Sequence, residues 1–353
     1  MVTMLDCIRR VPSLMETILA RAPETFSQVF ETYNTSGIDE LCFIGSGSSF
    51  NGAATARYLA EQASGVRVSV VLPNEFLNAY TVRNPRALHV FISQTGTSTL
   101  TREALRYVKE KKLMSAAVSE AAETPVAREA GAFIDMGCGH EEYGMRTIGY
   151  STTVFTLMLL GMELGRRRGA LSSEEYESLA AQARAAAAGI PGVIEAAQGW
   201  MDRARRRIMR SSFIAFTGTA ALYGVAMEGA VKVWEAPQYP SAGYELDEGM
   251  HGPNYGYNGQ HAVIVLSGGG RGSDQALALA RYMKNEHDNG YVFGVGAMDD
   301  KDLAFKPAGG AFECLEFAAA IQTFMYRLAV DGGRDFSILG VHAKMNSYFQ
   351  SHS

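Results

Sequence analysis

The sequence predicts an α/β protein built from two similar parallel-sheet domains in tandem. Three observations carry that expectation. Short apolar runs end in glycine or serine, a segment of helical period follows each of them, and the whole unit recurs in the second half of the chain. Strand, small-residue loop and helix in repetition is the pattern of a parallel sheet with crossover helices.

In order along the chain, ELCFIGS (40–46) reads as a strand and NGAATARYLAEQAS (51–64) as a helix. The runs VRVSVVLP (66–73) and ALHVFISQTG (87–96) read as strands, TLTREALRYVKEKK (99–112) as a helix and MSAAVSE (114–120) as a strand. An Ala/Arg/Glu-rich helical stretch at 171–210 is expected to break near Gly189–Gly192. The pattern then restarts: SSFIAFTGTAALYGVAMEGAVKVWE (211–235) holds a strand, a glycine loop and a helix. HAVIVLSGGGRG (261–272), a helix over 273–287, the strand GYVFGVGA (290–297) and a helix over 317–330 complete it.

Laid over one another, the halves match Gly47 with Gly218, Ser48 with Thr219, and Ser93 of VFISQTG with Ser267 of IVLSGGG, at offsets of 171 to 174 residues. We read an internal duplication in which the second copy has exchanged polar loop side chains for glycine. The expected organisation is a helical leader (1–35), a first domain (36–170), a helical linker (171–210), a second domain (211–335) and a C-terminal tail (336–353).

Composition excludes several classes. The 353 residues are 47% hydrophobic and 20% charged, with a net charge of −5, which leaves no electrostatic footprint for nucleic acid. The basic clusters at 166–169 and 203–207 read as solvated helix faces. The apolar segment at 151–165 falls short of the ~20 residues of a membrane span, so a buried helix and no membrane are expected. The N-terminus, with Asp6, does not have a signal-peptide pattern. Cys7, Cys42, Cys138 and Cys314 are scattered without a CxxC motif, so neither a metal site nor disulfides are expected, and a reduced, cytoplasmic protein fits.

The loop FIGSGSSFNG (43–52) is not a dinucleotide fingerprint: Phe50 stands where the third glycine belongs, and no Walker lysine is present. It is one of two hydroxyl-rich turns. Ser46, Gly47, Ser48 and Ser49 form the first, and Ser93, Gln94, Thr95 and Ser98 of SQTGTS the second. Each follows a strand and opens a helix, where hydroxyls and free N–H groups can hold a phosphate. Plain helix capping by the same hydroxyls is the alternative.

These loops resemble the sugar isomerase (SIS) domain family, in which they hold a sugar phosphate. The resemblance covers the chain from about residue 36 onward and implies two tandem SIS domains, each a flavodoxin-like parallel sheet flanked by helices. The chain is similar to the isomerase half of glucosamine-6-phosphate synthase and to the fructoselysine-6-phosphate deglycases. In AMEGAVKVWE, Glu228, Lys232 and Glu235 lie at i, i+4 and i+7 on an otherwise apolar helix; their plain reading is a salt bridge of ~0.3–0.5 kcal/mol. The segment also resembles the synthase motif EGALKLKE, whose last glutamate moves protons between C1 and C2 of the sugar, a role that falls on Glu235. A setting of Val, Trp and Pro is expected to suit that carboxylate to general-base work.

The resemblance further implies that His251 in HGP assists ring opening and is donated by the neighbouring subunit of a homodimer or higher assembly. Lys344 near the C-terminus, with His342 beside it, corresponds to the lysine that forms a Schiff base with the open-chain sugar. One departure stands out: Ile148 in RTIGYST takes the place of a lysine in the family's STKAFT stretch. The synthase's glutaminase portion and its N-terminal nucleophilic cysteine are not seen. The expected activity is therefore a deglycase releasing hexose 6-phosphate and free amine from a fructosamine 6-phosphate, with sugar phosphate as partner and no cofactor. Tyr239, Tyr244, Asp247, Glu248 and Tyr255 are candidates to contact the amine half. An amino-sugar-phosphate isomerase or deaminase, and a non-catalytic sugar-phosphate sensor, are the alternatives; a flavodoxin-like electron carrier lacks a flavin-stacking pair.

Overall fold

The computed structural model of the chain describes residues 2–79, 84–336 and 348–349. The chain divides into two compact units. The first contains Leu14–Glu141 and Gly149–Ser178; the second contains the N-terminal residues up to Ser13, Glu142–Ile148 and Leu179–Arg334.

The first unit is organised on five strands, β1 (Glu40–Ile44), β2 (Arg67–Val71), β3 (Ala87–Ile92), β4 (Ser115–Ser119) and β5 (Ala132–Asp135). All pair in parallel in the order β2-β1-β3-β4-β5. β3 and β4 are buried along their whole length, as strands covered on both faces must be. The second unit holds β6 (Phe213–Gly218), β7 (Ser241–Glu245), β8 (His261–Ser267), β9 (Gly290–Gly294) and β10 (Leu303–Ala304). These are again all parallel, in the order β7-β6-β8-β9-β10. Counted from the first strand of each unit, the two orders are the same.

The repeat is sharper in backbone angles than in sequence. The helix Ser48–Ser64 starts behind Gly47 at φ 56°, ψ −129°, and the helix Ala221–Glu235 starts behind Ala220 at φ 49°, ψ −122°. A Cβ on Gly45 would lie 2.9 Å from Ser49, four residues on, and one on Gly218 would lie 2.8 Å from Leu222, again four residues on. Gly45 therefore corresponds to Gly218, and Gly47 to Ala220. The match of Gly47 with Gly218 read from sequence was two residues out, because alanine occupies the position whose conformation favours glycine.

The stretch at 171–210 is one unbroken helix, Ser173–Ile208, with Pro191 inside it. Proline within a helix costs ~3 kcal/mol, but Ile190, Val193, Ile194, Ala197 and Trp200 are all buried along this segment, and each large apolar side chain returns ~1.5–3 kcal/mol. Trp200 packs edge-on against Tyr291 and Phe293 and donates Nε1–H to the Lys301 carbonyl at 2.6 Å. Gly189 is glycine for a different reason than helix breaking: a Cβ there would come within 2.4 Å of the buried Glu316 carboxylate. From Leu179 onward the helix belongs to the second unit.

Among the described residues one helix, Ile148–Arg168, is long and apolar enough to cross a membrane by length and composition, and its apolar window is wholly buried. The four cysteines are free and buried.

Candidate functional site

In the first unit, β1 and β3 are neighbours, with Ile44 opposite Phe91. Both hydroxyl-rich loops therefore leave the carboxyl ends of adjacent parallel strands, where ligands of open α/β sheets bind. Gly45 brings them together: a Cβ there would meet the Ile92 carbonyl at 3.3 Å. In the first loop Ser46 and Gly47 are exposed and Ser48 and Ser49 half-buried. The left-handed Gly47 turns the chain into the helix without a side-chain cap, so the hydroxyls are not spent on capping.

The second loop is more internally organised. Ser93 is buried; its carbonyl accepts from the Gly96 N–H at 3.1 Å, closing a turn in which Gly96 has φ 68°. The Thr95 and Thr97 hydroxyls share a 2.9 Å hydrogen bond, and Thr101 donates to the Ser98 hydroxyl at 3.0 Å. The helix Thr99–Glu110 also starts without a side-chain cap.

Gln94 points elsewhere. Its Nε2 donates to Glu141 at 3.4 Å, and the same carboxylate oxygen accepts from the Gly149 N–H at 3.1 Å. The Gln94 amide lies so close to Gly149 that a Cβ there would sit 1.8 Å from Oε1. Gln94 thus ties the second loop to the start of the helix Ile148–Arg168. Sequence reasoning missed Glu141 and Gly149, which sit 47 and 55 positions beyond Gln94. Ile148, where the family stretch has lysine, is fully buried.

In the second unit, the helix Ala221–Glu235 carries the charged set. Lys232 and Glu228 are almost completely buried, and their side chains approach to 3.5 Å. Lys232 Nζ also donates to Glu235 Oε2 at 2.6 Å, with the Glu235 side chain 35% exposed. This is no surface salt bridge: one ammonium buried in an apolar helix serves two carboxylates. The apolar setting expected for Glu235 is not found, since its carboxylate meets that ammonium. Trp234 is largely exposed and donates Nε1–H to the Ser241 carbonyl.

His251 lies in a turn between two short 3-10 segments, with its ring exposed. Nδ1 lies 2.9 Å from the Asp247 carbonyl; a carbonyl only accepts, so Nδ1 carries the hydrogen and Nε2 faces outward. That bond, followed by the Asp247 and Glu248 carboxylates, raises its pKa above the ordinary 6.5. Lys344 and His342 lie outside the described residues. Among the described residues no group of three or more His, Cys, Asp or Glu is placed to hold a metal ion.

Comparison with known proteins bears on this geometry. The sequence over 37–163, which contains both hydroxyl-rich loops, matches the SIS domain family. The isomerizing glutamine–fructose-6-phosphate aminotransferase of Caulobacter vibrioides is 26% identical over 264 residues, which is 74% of this chain and 42% of that protein. The chain thus spans about two-fifths of the length of that relative. A provisionally assigned phosphosugar isomerase of Clostridium difficile has the same fold, with a TM-score of 0.91 and 22% identity, covering 98% of both chains. The C-terminal domain of glucosamine-fructose-6-phosphate aminotransferase from Francisella tularensis gives a TM-score of 0.82 at 20% identity, covering 94% of this chain and 96% of that domain. The two parallel five-stranded sheets flanked by helices match the SIS architecture.

Proposed function

We propose that the protein is a phosphosugar enzyme of the SIS type, with the second sheet a second, diverged SIS copy, and that it acts as a deglycase on a fructosamine 6-phosphate. The observation that carries the phosphosugar reading is the pair of hydroxyl-rich loops at the carboxyl ends of adjacent strands β1 and β3, each opening a helix that no side chain caps. Ser46, Gly47, Ser48 and Ser49, with Ser93, Thr95 and Ser98, would receive the phosphate through hydroxyls and N–H groups.

The chemistry assigned to the second unit follows from its charges. Glu235, hydrogen-bonded by Lys232, takes a proton from C1 of the open-chain ketose and returns one to C2. This converts the ketoamine to the C1 imine of hexose 6-phosphate. Water adds to the imine and the amine leaves, giving hexose 6-phosphate. His251, with Nε2 outward, assists ring opening, donated from a second copy of the chain in a homodimer or larger assembly. Lys344 holds the carbonyl carbon. No cofactor is assigned a step.

The test is release of hexose 6-phosphate from a panel of fructosamine 6-phosphates, with amino-sugar phosphates alongside, for the native protein and Glu235→Gln. Turnover of an Amadori compound that is lost in the variant supports the reading. Turnover of amino-sugar phosphates alone moves the assignment to an isomerase or deaminase. Thermal stabilisation by sugar phosphates without turnover of any of them makes the protein a sensor.

A further inference from the structure

The basic run at 203–207, expected to be a solvated helix face, borders a cavity of the second unit. The helix Ser173–Ile208 brings Arg203, Arg206 and Arg207 to it, and Arg210 follows from the turn behind the helix. Residues at i, i+3, i+4 and i+7 share one helix face, so the four guanidiniums line one wall of a space of about 300 Å³. Lys301 joins them from the loop before β10, and Tyr291 of β9 is a further lining residue. Tyr291 lies near the start of β9, and Arg210 lies shortly before β6. The cavity is thus at the amino ends of the second sheet, the opposite end from the one where ligands of such sheets usually bind.

The cations are poorly neutralised. Arg206 and Arg210 are exposed and make no side-chain hydrogen bond or ion pair with another described residue. Arg203 gives one hydrogen bond to the Gly199 carbonyl at 2.9 Å, which leaves its charge unmatched. Arg207 lies 3.7 Å from the exposed Asp288, which also takes Lys301 as an ion-pair partner. Asp300, the acid among the lining residues, pairs with none of these cations. The helix dipole favours cations in the last turn, and that accounts for an arginine or two there. It does not bring Lys301 to the same cavity from another element. The Lys301 loop is itself held in place: Trp200 donates Nε1–H to the Lys301 carbonyl at 2.6 Å, and the Lys301 N–H goes to Asp299 Oδ1 at 2.9 Å. Tyr291, 1% exposed, donates its hydroxyl to Asn289 Oδ1 at 3.0 Å, and Asn289 donates to Ser211 and to the Gly259 carbonyl. The buried polar groups beside the cavity are therefore paired within the protein, and the unmatched groups are the cations.

We propose that this cavity is an anion site, separate from the phosphosugar loops, for a small ligand that carries two phosphoryl groups. Four arginines and Lys301, set against Asp300 and Asp288, leave an excess of three positive charges. One phosphoryl group brings roughly −1.5 to −2, so a single phosphate leaves part of that excess unmatched and two balance it. Guanidiniums grip phosphate bidentately, and four on one face can hold two phosphoryl groups side by side. A volume at the lower end of the roughly 300–1,000 Å³ of ligand pockets suits a diphosphate or bisphosphate rather than a polymer.

The experiment is calorimetric titration of the full chain, at one fixed ionic strength, with inorganic pyrophosphate, orthophosphate, fructose 1,6-bisphosphate and ADP. Native protein is compared with Arg206→Gln/Arg210→Gln and with Ser93→Ala/Thr95→Val. A third variant, Lys109→Gln/Lys111→Gln, removes two exposed lysines of the first unit. Pyrophosphate is expected to bind native protein roughly tenfold or more tightly than orthophosphate. Arg206→Gln/Arg210→Gln should weaken pyrophosphate by roughly tenfold or more without lowering the melting temperature of the ligand-free protein. The other two variants should leave it within about twofold. Tighter binding of ADP than of the sugar bisphosphate would make the ligand a nucleotide, and the reverse a sugar; both results uphold the site. Pyrophosphate binding that is no tighter than orthophosphate, or is weakened equally by the lysine pair, would overturn it. Loss of pyrophosphate binding in Ser93→Ala/Thr95→Val with retention in Arg206→Gln/Arg210→Gln would overturn it too, and would leave the phosphosugar reading standing.

Discussion

Lys232 Nζ lies 2.6 Å from Glu235 Oε2 and 3.5 Å from Glu228 Oε1, so one ammonium, 1% exposed, is shared by two carboxylates on a single helix. Removing it takes a cationic neighbour away from the buried Glu228 carboxyl group. Breaking a buried pair from one side costs about 3–5 kcal/mol. Lys232→Met is expected to lose stability on that scale in urea unfolding, and Glu228→Gln/Lys232→Met to regain part of it. Equal stability of Lys232→Met and native protein would show that the ammonium does not neutralise Glu228.

Ala220 holds a backbone conformation that in the first unit is given to Gly47. A non-glycine residue there stores roughly 1–3 kcal/mol. Ala220→Gly should therefore stabilise the protein by about 1 kcal/mol and Gly47→Ala should destabilise it. Stabilisation by neither glycine would mean the two turns are not equivalent.

Gly149 and Gln94 are in van der Waals conflict for any larger residue at 149. Gly149→Ala pushes the Gln94 amide, the end of a flexible side chain, off Glu141. It is expected to cost roughly 0.5–1.5 kcal/mol, the worth of that hydrogen bond, and less in a Gln94→Ala background, since the colliding amide is then gone. Additive effects of the two substitutions would contradict the contact.

For His251 the sign is set by its partners. The Asp247 carbonyl and the nearby carboxylates favour the protonated ring, so its folded-state pKa lies above 6.5 and the charge persists to higher pH than in the unfolded chain. Whatever stability this adds is complete below the unfolded pKa and is lost as pH rises through the folded one. Proton NMR titration should give a midpoint above 6.5, lowered but not abolished by Asp247→Asn, because the carbonyl bond remains.

Much of this was legible in the sequence wherever one strand, one small-residue loop and one helix follow in order. β1, β3, β4, β6, β8 and β9 all read this way, since strands buried on both faces show as unbroken apolar runs. β7 (SAGYE) is half-exposed over most of its length, and β10 has two residues, so neither carries an apolar signal. Gly189–Gly192 reads as a break because sequence shows the local cost of that stretch and not the burial of Ile190 and Trp200 that outweighs it. The spacing of Glu228, Lys232 and Glu235 correctly put three charges on one face, but the depth of Lys232 is a tertiary fact. The loop hydroxyls were visible at once; the engagement of Gln94 by Glu141 was not, because it joins residues far apart in the chain.

The central claim is that Glu235 moves the proton on a bound phosphosugar. Its most direct measurement is the rate of hexose 6-phosphate release from a fructosamine 6-phosphate by native protein and by Glu235→Gln, with substrate-induced thermal stabilisation recorded for both. The account predicts a loss of roughly 10²–10⁴-fold in turnover with stabilisation retained. Native turnover in the variant would contradict it.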